Sequence, residues 1–352
     1  MGGLMRRLNF IKNTSRPRRA ALGVLVLAAV ISVTSGQQLE ADAATEYYIG
    51  GMAAGFALPA GGAEIVELNS VAGDGETRRP AEEAGMRAGD LICAADGAAI
   101  DSIAGLNAAL EKCGGKSIRF TVLRDGERLQ VSVQPLLDAK TGKWKIGVLI
   151  RDTLSGIGTI TYIEKGSLHF GALGHGIGEG ASPDMTGAKV FACSVIGVNK
   201  GTRGRAGELK GLFHHETTIA RAELFCGTGL FGTFESGYDL SACRTAEIAP
   251  VSEAVIGKAV IYSTVDGRES KPYEIAIAKV DANDRDNKNF VIKVTDEALI
   301  AETGGIVQGM SGSPILQNGK LIGAVTHVFL NDPTRGYGIS IERMMTGERE
   351  RR

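Results

Sequence analysis

The chain has 352 residues, enough for two domains plus accessory segments. Its 39 basic and 40 acidic residues nearly cancel, which excludes a global basic field for holding nucleic acid. Glycine is abundant, with 49 residues, and aromatic residues make up only 5%, a balance that fits a turn-rich β protein better than a helical bundle.

The chain opens with a basic cluster of Arg6, Arg7, Lys12, Arg16, Arg18 and Arg19. An uncharged apolar run follows from Ala20 to about Val33, and then the small-x-small sequence Ala41-Asp42-Ala43. This is the anatomy of a secretory signal, so residues 1–43 read as a signal peptide. The run is shorter than the roughly 20 residues a spanning helix needs. An uncleaved signal-anchor touching the membrane is the alternative. Both readings place the body of the protein outside the cytoplasm.

Residues 44–138 read as a small β-rich unit with two short helices. Gly50 to Phe56 is a loop leading into a strand, and Glu64 to Leu68 is another. Pro80 starts a short helix that Gly85 ends. Ser102 caps a second helix running to about Lys112, with Leu106 and Leu110 on its apolar side. Asp125-Gly126 turns a last hairpin. The run RRPAEEAGMRAGDLICAADGAAI, Arg78 to Ile100, resembles a PDZ domain of the bacterial protease type. The resemblance implies a peptide ligand that adds as a strand beside Gly55, Phe56, Ala57 and Leu58, against the helix carrying Leu106 and Leu110.

Asp138 to Lys145 is polar, and residues 139–145 read as a linker. The second domain, 146–352, shows short strands at Ile146 to Ile150, Thr159 to Ile163, Val190 to Val198, Thr217 to Phe225, Ala254 to Ser263, Tyr273 to Val280 and Asn289 to Val294. Their number suits two packed β-barrels. Five cysteines, Cys93, Cys113, Cys193, Cys226 and Cys243, contain no C-x-x-C pair, so neither a zinc site nor a disulfide framework is expected. A single bridge such as Cys226–Cys243 stays open.

Phe170 to Gly176 places His175 between two glycines at the end of a strand of small residues. A general base suits such a strand end, where small neighbours let the ring reach a nucleophile. His169 is the rival, but alternation with Leu168 and Phe170 turns it outward. His214-His215 point to opposite faces of a strand and have no metal-ligand spacing, and His327 is a residue that lines a cleft without doing chemistry.

The most informative stretch is GMSGSPILQNGKLIGAVTHV, Gly309 to Val328. Ser311 sits on a glycine turn just ahead of a hairpin whose own turn is Asn318-Gly319. A serine nucleophile needs this setting, with its hydroxyl projecting into a cleft and backbone N–H groups, here those of Gly309 and Ser311, aimed at the oxyanion. Turn, proline, strand, turn and strand resemble, in that order, the active-site hairpin of chymotrypsin-like serine peptidases. Met310 stands where many trypsin-like enzymes carry an aspartate that pairs with a freed N-terminus. Asp296, 15 residues before Ser311, is the chosen carboxylate for orienting the imidazole; Asp239 and Asp281 are the alternatives, and capping the helix from Glu297 is the competing role for Asp296.

Signal, PDZ unit, FGALGH and GMSGSP in this order resemble the stage IV sporulation protein B (SpoIVB) serine peptidases. That family implies a mainly β fold, a PDZ domain followed by a chymotrypsin-like double β-barrel, with His175, Asp296 and Ser311 on the catalytic positions. It implies a regulatory endopeptidase secreted across the forespore membrane into the intermembrane space. There it cleaves itself and the extracytoplasmic part of a membrane-anchored regulator of an intramembrane protease, triggering activation of a late mother-cell sigma factor. This chemistry needs no metal or organic cofactor. The competing readings are a secreted PDZ adaptor with an inactive peptidase-like domain and a structural β-rich envelope protein.

Overall fold

The computed structural model describes residues 46–173 and 188–350. The expected signal segment and His175 lie outside the described residues. Two-residue strands are left unnumbered. The first half of the chain forms β1 (Tyr47–Ile49), β2 (Ala53–Leu68), helix α1 (Pro80–Glu83), β3 (Leu91–Ala95), α2 (Ile103–Cys113), β4 (Ile118–Arg124) and β5 (Glu127–Val133). Then come β6 (Val148–Glu164), β7 (His169–Ala172), β8 (Lys189–Asn199), β9 (Glu208–Cys226) and β10 (Gly229–Phe234). The last part holds β11 (Gly257–Ser263), β12 (Lys271–Val280), β13 (Phe290–Val294), α3 (Glu297–Thr303), β14 (Pro314–Gln317), β15 (Lys320–Phe329), β16 (Asp332–Ser340) and α4 (Ile341–Arg349).

The fold is mainly β, as expected. Strands β11, β12, β13, β16, β15 and β14 close into a barrel in that order. That barrel is the second along the chain; the first is a ring that follows from the pairings β2–β6, β6–β7, β7–β10, β10–β9, β9–β8 and β8–β2, all antiparallel. Each ring has its own apolar core. Phe56, Ile160, Phe170, Val190 and Leu230 fill the first, and Ile275, Phe290, Ile292, Ile315 and Val325 the second. Burial of such side chains stabilises each barrel by about 1.5–3 kcal/mol per residue.

A third core lies between α1, α2 and the sheet of β3, β4, β5 and the distal half of β2. Helix α2 begins as the sequence suggests, with the Ser102 hydroxyl accepting from the Gly105 N–H, and it ends on Gly114 in the left-handed region.

Two long strands revise the expected layout. From Ala53 to Leu68 the sequence suggests a loop and a separate strand, yet the segment is one 16-residue strand. Likewise, the two short strands expected between Ile146 and Ile163 form one 17-residue strand, β6. β2 and β6 pair from Ala53↔Thr159 to Leu68↔Val148. Their near halves belong to the first barrel and their far halves to the third core. The α/β unit between β2 and β6 is therefore inserted into the first barrel, instead of preceding the β-barrels as a separate domain from residue 44. Residues 139–145 are also not a free linker, because Trp144–Lys145 pairs with Leu136–Leu137 and Asp138 accepts the Thr141 N–H at 2.8 Å. All five cysteines are free thiols, so Cys226 and Cys243 are not bridged. Among the described residues, no helix is long and apolar enough to cross a membrane.

Candidate active site

Ser311 lies on the turn that enters β14. Gly309 at φ +99° and Gly312 at φ +94° occupy the left-handed region where a side chain is strained. A Cβ on Gly312 would stand 2.1 Å from the Thr159 carbonyl oxygen, so the turn presses directly on β6 of the other barrel. Three hydrogen bonds hold it there. The Thr159 N–H donates to the Ser311 carbonyl at 3.0 Å, the Thr159 hydroxyl to the Gly309 carbonyl at 2.8 Å, and the Thr161 hydroxyl to the Gly312 carbonyl at 2.8 Å. Both threonines are buried. From its own barrel, the turn is held by the Gly312 N–H on the Val325 carbonyl at 2.8 Å and by the Ser313 hydroxyl on that of Ser263 at 3.0 Å.

Sequence reasoning missed Thr159 and Thr161. Hydroxyls inside an apolar strand, at two successive positions of one face, were the available signal.

Ser311 is half-buried, and its hydroxyl donates to the Thr326 carbonyl at 2.9 Å. Among the described residues, the N–H groups of Gly309 and Ser311 have no acceptor. They are available to an incoming oxyanion, whereas the neighbouring Met310 N–H is spent on Val307 at 3.1 Å. Met310 itself is fully buried in the second core. The residue in the aspartate position is thus a packing residue.

A cavity of about 440 Å³ opens beside Ser311. Ile306, Val307, Val328 and Leu330 form its wall on the second barrel, and Leu154 to Ile157 its wall on β6. Among the described residues, none that lines it is acidic. Leu173, two residues before His175, also lines it. His327 lines it from β15.

Asp296 is not brought to this cavity. Its side chain caps α3, accepting the Leu299 N–H at 2.9 Å on one oxygen and the Glu274 N–H at 3.3 Å on the other. Asp239 and Asp281 do not line it either. The Ser241 hydroxyl and N–H hold Asp239 below the ordinary carboxylate range, and Lys279 does the same for Asp281. His169 lies elsewhere, its Nε2 2.7 Å from the Glu348 carboxylate on α4.

Other histidine arrangements have their own partners. The Ser194 hydroxyl and His214 Nε2 are 2.8 Å apart, with Glu216 3.4 Å from His214 Nδ1. Among the described residues that line the cavity beside Ser311, none belongs to this triplet. The His215 ring packs edge-on against Phe191 at 4.9 Å.

The expected PDZ groove is not where the sequence put it. Gly55, Phe56 and Ala57 pair with β6 on one side and β8 on the other, and Leu58 pairs with Leu154. No peptide strand can add there. Leu106 and Leu110 are buried under α2 in the third core.

Residues 69–134 match the family model of a PDZ domain, and residues 142–345 match that of SpoIVB peptidase S55. The second match contains the whole serine turn, both pinning threonines and β6. Because it also covers more than half of the chain, the protein belongs to the SpoIVB peptidase S55 family of sporulation serine peptidases, with a PDZ domain on the N-terminal side of the matched region.

Proposed function

We propose that the protein is an endopeptidase whose nucleophile is Ser311 and whose general base is His175. The observation that carries this reading is the serine turn, where a half-buried hydroxyl lines a cavity beside two N–H groups that have no acceptor among the described residues. His175 takes the Ser311 proton as Oγ attacks the scissile carbonyl. The N–H groups of Gly309 and Ser311 hold the oxyanion. His175 then passes the proton to the departing amine, and water releases the acyl group by the same route. Asp296 keeps its role at the α3 cap in this scheme. The apolar walls favour an uncharged, apolar side chain next to the scissile bond, since a buried charge without a partner costs several kcal/mol. The physiological reading is cleavage of the chain itself and of an extracytoplasmic segment of a membrane regulator, in activation of a late sigma factor.

A fluorophosphonate probe followed by peptide mass spectrometry tests the chemistry. Label is expected on Ser311 and not on Ser194. Ser311→Ala and His175→Ala should each lower labelling and cleavage at least a thousandfold, while His169→Ala keeps more than a tenth of the activity. Absence of label on Ser311 in folded protein would favour the adaptor reading instead.

A further inference from the structure

The Thr159 N–H bonds the Ser311 carbonyl on the side of β6 that faces away from β2. The register of β6 against β2 is unbroken from Thr153 to Thr159. Alternation along a strand therefore turns the N–H and C=O groups of Ile157, Ser155 and Thr153 to that same side. Strand β7 covers it only from Ile160 to Ile163. Among the described residues no strand pairs with this edge between Val148 and Ile157. Ser155, Gly156, Thr153 and Leu149 are exposed. One end of the edge, Leu154 to Ile157, lines the cavity of Ser311.

The other end belongs to the PDZ unit. Val148 and Ile150 pack on the core that holds Leu106 and Leu110 of α2. The Asp152 carboxylate accepts the Ile103 N–H at the start of that helix at 2.9 Å. Gly147, at φ +76°, leads into the strand, and a Cβ there would stand 2.2 Å from the Asn69 carbonyl oxygen. A strand edge beside a helix, entered through a glycine turn, is the setting in which a peptide adds to a sheet.

We infer that the free edge of β6 is one continuous docking rail from the serine cavity to helix α2, and that it holds the part of an extended polypeptide substrate C-terminal to the scissile bond. The inference rests on Ser311 as nucleophile. All other partners of β6 are antiparallel, and antiparallel pairing is slightly the more stable. A chain antiparallel to β6 leaves the cut at Ile157 and travels towards Val148, about 30 Å or nine residues at ~3.3 Å each. PDZ unit and peptidase thus read one segment, and the helix selects among residues downstream of the cut. The occupant is an unfolded polypeptide, because only an extended backbone can satisfy a row of strand N–H and C=O groups.

The test uses the full-length chain and β-casein as an unfolded polypeptide. In Ser311→Ala, added casein should slow amide exchange at Thr153, Ser155 and Ile157 at least tenfold. Unchanged exchange there, with or without binding elsewhere, overturns the rail. In the wild type, peptides built around a casein bond that the enzyme cuts should gain at least tenfold in kcat/KM when extended from two to ten residues after the cut. Thr153→Pro removes one outward donor without touching the ladder to β2, a change an edge strand tolerates. It should reduce that gain to below threefold. An equal gain in the variant, or a gain only from residues before the cut, also overturns it. Failure of fluorophosphonate labelling at Ser311 would count against the catalytic reading, whereas the exchange measurement judges the rail by itself.

Discussion

Thr159 shows how a residue with no chemistry of its own can set the position of the serine proposed as nucleophile. Its N–H and hydroxyl bond the carbonyls on either side of Met310, and the next residue on the same face, Thr161, bonds that of Gly312. Thr159→Val keeps the shape but leaves the Gly309 carbonyl buried without its partner. The cost is about 1–3 kcal/mol of stability. Movement of the serine turn should lower kcat by roughly tenfold, equivalent to about 1.4 kcal/mol, with KM little changed. Thr159→Ser, which keeps the hydroxyl, should restore most of it. Thermal denaturation and steady-state kinetics on the pair decide the matter, and wild-type kcat in Thr159→Val would remove the positioning role. Gly312→Ala should be worse, since its Cβ would fall 2.1 Å from the Thr159 carbonyl oxygen and φ is +94°.

Helix α3 poses the question of Asp296 at the scale of an element. The helix runs from Glu297 to Thr303, and the Asp296 side chain satisfies one of its free first-turn donors, the Leu299 N–H. Asp296→Ala should therefore lower stability by about 1 kcal/mol. Asp296→Asn, an equally good cap, should change it by less than about 0.5 kcal/mol and keep activity within threefold, by the same cap preferences. A hundredfold loss of activity in the Asn variant, at unchanged melting temperature, would return this carboxylate to the imidazole.

For the molecule as a whole, β2 and β6 tie the PDZ unit to the first barrel. A chain that starts at Ala139 lacks β1 and β2, so its first barrel opens between β6 and β8. It should aggregate and take up no fluorophosphonate label. Leu58 and Leu154 are paired, so a short turn can join them directly. A chain lacking residues 59–153, closed by Asn-Gly at that point, should still fold its barrels and label at Ser311. It should also lose the preference for long substrates, having no α2. Labelling of the chain from Ala139 would show that the two units are independent after all.

Much of this was legible in the sequence because the signals are local. The serine turn is written in Gly309 and Gly312, which permit a positive φ, and in the Asn318-Gly319 hairpin. The starts of α2 and α3 are written in Ser102 and Asp296. Alternation gives β12 and β13 nearly to the residue. The PDZ helix–strand run is likewise a local pattern, and its match covers residues 69–134. The tertiary structure alone decided how β2 and β6 run. Pro59, Gly61 and Gly62 in one, and Ser155, Gly156 and Gly158 in the other, read locally as turns. Strand propensity is weak and depends on neighbours, and here each segment is held extended by partners nearly a hundred residues away, with bulges absorbing the misfit. For the same reason the sequence placed a peptide groove on Gly55 to Leu58. Only pairing shows which edge is already taken by β8 and which edge, on β6, leads to the serine.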